Sequence, residues 1–190
     1  FEGGVQYTSN NDKLDVRVVA FKRNTKNIIA YQNQQYTNYN RQQDQGIEIE
    51  PTININERIQ LKLFYTFVEG KVTTPASNGD TSYNNLFKRP RHTFGVNLGY
   101  QVTPAFYVST HFQNFGKRND LYFEPVEPYG QWSVPLTSYS LWDIYGEYSF
   151  LKSRLRVFAQ VNNLLDANYY EVYGYSVLGR SLNAGIRFRL

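Results

Sequence analysis

The sequence predicts an all-β fold: the wall of an antiparallel transmembrane β-barrel. Three observations predict it. Apolar and polar side chains alternate with a period of two along the whole chain. Short and long connections take turns between the candidate strands. The charged residues of those strands fall on the face opposite the apolar one.

Nine strands are expected, over 1–10, 14–24, 34–53, 58–70, 91–101, 106–115, 136–150, 154–164 and 178–190. The clearest is 59–68. Ile59, Leu61, Leu63, Tyr65 and Phe67 share one face, and Gln60, Lys62, Phe64, Thr66 and Val68 share the other. Short links at 11–13, 54–57, 102–105 and 151–153 alternate with long ones at 25–33, 71–90, 116–135 and 165–177. Outer-membrane barrels have short periplasmic turns and longer external loops, so this alternation sets the orientation and places Leu190 on the periplasmic side.

The charges follow the same division. With the apolar face of each strand fixed first, Asp15, Arg17, Glu48, Glu50, Lys62, Asp143, Glu147, Arg156, Arg187 and Arg189 all lie opposite it. A charge facing lipid at mid-depth costs about 2–4 kcal/mol, which enforces such a division. A soluble sheet with one wet face would divide its charges equally well. Aromatic depth separates the two. Tyr65, Phe67, Phe94, Phe112 and Trp142 lie near the long-loop ends of the apolar face. Tyr7, Tyr100, Phe106, Tyr148, Phe150 and Phe188 lie near the short-turn ends. Leu61, Val96, Val108, Ile144, Val157 and Ile186 fall between. Two aromatic bands around an aliphatic belt are membrane-barrel girdles, whereas a sandwich or propeller buries aromatics at its centre.

Composition agrees. Of 190 residues 17% are aromatic, with 17 Tyr and 13 Phe, yet the mean hydropathy is −0.55. Tyr suits a boundary that is apolar on one side and wet on the other. No apolar run reaches the ~18 residues of a spanning helix. A net charge of +4 without a dense basic block argues against a nucleic-acid partner. The chain opens on a strand-like pattern rather than a signal peptide, and nine strands cannot close a bacterial single-chain barrel. It is therefore expected to be the C-terminal portion of a longer barrel, with further strands before Phe1 and edges that would otherwise stand unpaired in lipid.

The most specific stretch is Val161-Asn162-Asn163-Leu164-Leu165-Asp166, then Tyr169-Tyr170-Glu171-Val172-Tyr173-Gly174-Tyr175, then Leu178-Gly179-Arg180 and Ala184 to Leu190. It resembles the closing strands of TonB-dependent receptors, where an N-L-x-D element, a Tyr-rich segment and a G-R pair precede the last strand. The wording of 170–180 looks most like the vitamin B12 transporter and siderophore-receptor branch, and Gln45 to Glu50 (QGIEIE) is similar to another strand of the family. The resemblance implies a barrel of about 22 strands around a plug. It implies energised import of cobalamin or a siderophore-type chelate, with TonB acting on the plug. It also implies the barrel-assembly machinery as a partner, reading Gly185, Ile186, Phe188 and Leu190, the last in place of the usual Phe. Outer-membrane lipid, the rest of the barrel and a surface lipoprotein complete the expected partners. The rival reading is a non-energised barrel, a porin or an adhesion barrel.

For chemistry the sequence offers little. His92 and His111 read as wall residues, and Glu48 and Glu50 as lumen charges paired with cations. With no Cys, no phosphate-cradling Gly loop and no HExxH, neither an enzyme nor a cofactor or metal site is expected. The binding candidates lie in the 116–135 link: Arg118 for charge, and Tyr122, Phe123, Tyr129 and Trp132 for stacking. Equally, those aromatics could pack the link on itself.

Overall fold

Period-two alternation makes a strand, and strands that hide no face from lipid must satisfy their backbone in a ladder. The computed structural model describes every residue except 33–34, 77–78, 124–125, 127–129, 152–153 and 190. At 30–32, 35, 37–40, 75–76, 123 and 131 it describes the backbone alone. Nine strands form one meander in the order β1 (Glu2–Thr8), β2 (Leu14–Gln32), β3 (Gln35–Asn56), β4 (Ile59–Ala76), β6 (His92–Gln101), β7 (Phe106–Phe115), β10 (Tyr139–Phe150), β11 (Leu155–Asn162) and β12 (Ser181–Phe188). β5 (Gly79–Tyr83) folds back on β4, and β8 (Arg118–Phe123) pairs with β9 (Gln131–Leu136) as a separate hairpin. Every ladder is antiparallel, and one isolated parallel bridge joins Phe87 to Asn119. No α-helix occurs among the described residues. There β1 pairs only with β2 and β12 only with β11, so the wall is open at both edges.

Register places the side chains. Ile49, Tyr65 and Phe94 lie side by side, as do Phe112 and Trp142, Ile144 and Val161, and Val157 and Ile186. On the other face Lys62, Asn97, His111 and Asp143 form a row, and Arg17 faces Glu50 across β2 and β3. All ten charges named from the sequence share this second, lumenal face.

The apolar face is the exposed one: Ile47, Phe94, Ile144, Val157, Ile186 and Phe188 stand out of the structure. Among the described residues the buried apolar side chains are few, namely Val19, Val72, Leu86, Leu136 and Tyr139, and none belongs to the aliphatic belt. A soluble sandwich would bury that belt in a core. Here it is left for hydrocarbon.

The lumenal face solves a packing problem in a repeated way. Phe21 lies opposite Gly46, Phe64 opposite Gly95 and Phe158 opposite Gly185. In each pair the ring covers the glycine so closely that a Cβ there would overlap it, at 2.6 Å from Phe21 Cζ at Gly46 and 2.6 Å from Phe158 Cζ at Gly185. The glycine leaves room for the ring, and the ring shields backbone that a glycine would otherwise expose. Gly185 thus has a packing role besides the assembly role expected of it.

Three of the expected long links are partly strand. Residues 25–32 continue β2, 71–76 continue β4 with β5 beside them, and 116–135 contains β8 and β9. The expected ending of the second strand at Asn24 has a physical reason. Register shifts between Thr25 and Ile29, with Asn27 at φ 57°, break the two-residue period without ending the ladder. About 9–11 residues cross a bilayer, so β2, β3 and β4, with 19, 22 and 18, stand far beyond it. The outer face turns polar at the top of the belt, from Ile47 and Phe67 to Gln45 and Glu69, which share a 3.0 Å hydrogen bond.

Candidate functional site

The long-link end of the wall is where side chains converge. β8 presents Arg118 and Asp120 on one face, two residues apart, and that face is turned inward. Asp120 is 1% exposed and Arg118 6%.

Asp120 is shared by three segments. One carboxylate oxygen accepts from the backbone N–H of Leu121 at 2.8 Å, and the other from that of Tyr173 at 2.9 Å. Lys88 Nζ lies 3.7 Å away. The backbone adds to this: Lys88 N–H donates to the Asn119 carbonyl at 2.7 Å, beside the Phe87–Asn119 bridge. A carboxylate this deeply buried has to be held by donors, and these hold it.

Arg118 works on the same face, at the start of the strand. Its Nη2 donates to the Tyr170 carbonyl, and its guanidinium stacks over the Tyr139 ring at 4.8 Å. Tyr139 in turn lies between Tyr169, at 4.1 Å, and Phe115, at 4.8 Å. Burial raises the Tyr169 phenol above its ordinary range, and the charges of Glu171 and Asp143 push the same way. Tyr122 meets Tyr173 edge-on at 5.3 Å. The 84–91 segment, the β8–β9 hairpin and the 163–180 segment are thereby one assembly.

The 163–180 segment has its own latch. Asn163, at φ 48° and buried, donates its N–H to Asp143 Oδ1 at 2.8 Å. Its side-chain amide holds both the N–H and the carbonyl of Ala167. Asp166 Oδ1 accepts the N–H of Arg180 at 2.8 Å, and a Cβ on Gly179 would come within 2.9 Å of that oxygen. The N-L-x-D and G-R elements are therefore the two halves of one clasp.

The residues expected to bind fall in different places. Arg118 is committed to Tyr170 and Tyr139 beneath the surface, Tyr122 is half-buried, and Trp132, across from it, is 58% exposed. Phe123 ends β8 with its side chain outside the described residues, and Tyr129 lies outside them altogether. Of the expected assembly residues, Ile186 and Phe188 face outward beside Val157 and Leu155, and Leu190 lies outside the described residues. Sequence reasoning missed Asp120, Tyr139 and Asp143. A charged pair two apart, as in Arg118-Asn119-Asp120, which puts both side chains on one face of a strand, is the signal that would have pointed to the first. Among the described residues no group of three or more His, Asp or Glu could hold a metal.

The wall, its lipid-facing belt and its looped mouth match a known sequence family. The profile described as TonB dependent receptor-like, beta-barrel covers residues 1–164. The chain belongs to this family. TonB-dependent receptors are outer-membrane proteins of Gram-negative bacteria, and they are receptors and transporters rather than enzymes.

Solved receptors and transporters share the fold. The pyoverdine outer membrane receptor FpvA from Pseudomonas aeruginosa PAO1 superposes with a TM-score of 0.75 at 17% identity, over 100% of this chain and 29% of its own. The siderophore receptor PiuA from Acinetobacter baumannii gives 0.74 at 19%, over 99% and 28%. The FrpB iron transporter from Neisseria meningitidis gives 0.74 at 15%, over 97% and 30%. The chain thus spans less than a third of the length of the receptors it matches.

Proposed function

We propose that the chain is the C-terminal wall of a TonB-dependent receptor of about 22 strands, and that this receptor imports a siderophore-type ferric chelate with energy passed from TonB through a plug. The observation that carries the reading is the assembly around Asp120. It gives the mouth a fixed base on which Trp132, Tyr170, Tyr173 and Tyr175 stand exposed. Amphipathic rings on a rigid base suit a flat, polar-edged chelate. Tyr122, Phe123, Tyr129 and Trp132 are the proposed contacts, with Arg118 anchoring the strand that carries Tyr122. Ile186, Phe188 and Leu190 with Gly185 are the proposed assembly signal. The neighbours named above are described by pyoverdine, siderophore or iron, and none by cobalamin, so the chelate is preferred to the vitamin.

Uptake by cells carrying the full-length receptor tests this, with and without TonB. Saturable accumulation of an iron-55 siderophore in the TonB-containing strain alone is expected. Uptake of cobalt-57 cobalamin instead would move the substrate to the vitamin, and accumulation independent of TonB would make the barrel a passive channel.

A further inference from the structure

Beside the Asp120 assembly lies a cavity of about 480 Å³, between the 84–91 segment, the top of β4 and the start of β8. Among the described residues Arg89, Arg91, Lys117 and Arg118 line it, against a single carboxylate, Glu69. Glu69 engages Arg91 at 3.6 Å. Among the described residues Arg89 and Lys117 make no ion pair.

Arg118 is more informative. Its Nη2 is used and its plane rests on Tyr139, but its Nη1 is buried with no hydrogen-bond partner. Asn85, on the same cavity, likewise keeps a buried amide oxygen without a donor. A half-turn about its last bond exchanges that oxygen for the NH2 group. Neither atom has surface open to the cavity, so the cations free to receive a ligand there are Arg89 and Lys117. Two such cations, with Arg91 beside them, suit an anion with several oxygens.

We propose that this cavity is an oxyanion site, in which Arg89 and Lys117 hold a phosphate or carboxylate group. Its height is informative too. His92 at the cavity edge faces Phe67 in the upper aromatic band and hydrogen-bonds Tyr65 at 2.8 Å, so the site sits at headgroup level. Two sources supply the right group there: the phosphorylated headgroup of the surrounding outer leaflet, and a soluble anion entering the mouth. The proposal does not depend on what the receptor carries, because binding is read without transport.

The test uses the full-length receptor refolded without lipopolysaccharide, titrated with inorganic phosphate by calorimetry and challenged with acetate. Saturable binding that acetate displaces is expected. Arg89→Ala combined with Lys117→Ala, both at exposed positions away from Asp120, weakens it about tenfold or more. No saturable phosphate binding, or unchanged binding in the folded double variant, overturns the site. Reconstitution in phosphatidylcholine vesicles with and without lipid A assigns the source. Loss of free-phosphate binding only with lipid A identifies the headgroup as occupant, and binding retained in both identifies a soluble anion.

Discussion

Asp166 reaches across fourteen residues of chain to accept the backbone N–H of Arg180 at 2.8 Å, and Gly179 is the residue that leaves space for it. That bond ties the two ends of the 163–180 segment to each other, while Asn163 anchors the first of them to Asp143. Asp166→Ala removes the acceptor, and Gly179→Val pushes a side chain into it. Both variants expose the segment to faster cleavage, whereas Asp166→Asn, which keeps an acceptor oxygen, stays near wild type. Limited proteolysis of the full-length receptor in detergent checks this, and equal rates for all three variants would rule the clasp out.

Asp120→Ala is expected to release two segments at once. The Tyr173 N–H and Lys88 lose their partner in a buried setting, at about 1–3 kcal/mol for the backbone donor. Hydrogen exchange should quicken in 84–91 and 170–175 together and leave β10 and β11 unchanged. Acceleration confined to β8 would show that the carboxylate serves its own strand only.

The ring-over-glycine pairs predict a contrast between two glycines. Gly185→Val drives a side chain into Phe158 and costs about 1–3 kcal/mol as overpacking. Gly146→Ala, where nothing lies within 4 Å of the new Cβ, is near neutral. The temperature at which the folded band is lost on a semi-native gel measures both. A Gly146→Ala loss as large as that of Gly185→Val would contradict the pairing.

Ile144→Arg and Ile186→Arg place a charge in the lipid belt, and each costs about 2–4 kcal/mol near mid-depth. Ser109→Arg, on the lumenal face between Gly99 and Tyr145, costs little. Folding yield into vesicles reports the difference. Trp142, in the upper band, should be quenched by lipids brominated near the headgroup more than by lipids brominated at the chain ends.

The spanning strands were legible because lipid writes a simple rule. Outward positions such as Leu61, Leu63 and Tyr65 must be apolar, and inward ones such as Lys62 need not be. The mouth was not legible in the same way. Arg118 reads as a free charge and Asp120 as a solvated one, because nothing local marks the Tyr170 carbonyl or the Tyr173 N–H that receives them. The strand beyond Asn24 was hidden by a bulge, and the ring-over-glycine pairs by partners far apart in sequence. Asn163 and Asp166 stand out in the sequence as the ends of the N-L-x-D element, but their bonds to Asp143 and Arg180 depend on a register that only the assembled sheet provides.

The bonds that tie Arg118 to Tyr170 and Asp120 to Tyr173 span 52 and 53 residues of chain. Contacts so distant cannot help the early steps of folding, because the intervening loop must first be closed. β10 and β11 lie between the partners, so both have to be inserted and paired before either bond can form. The mouth is therefore finished last. A chain halted midway through insertion would show the outside world a ragged, unlocked rim, and the appearance of protection at Tyr173 can serve as a clock for completed assembly.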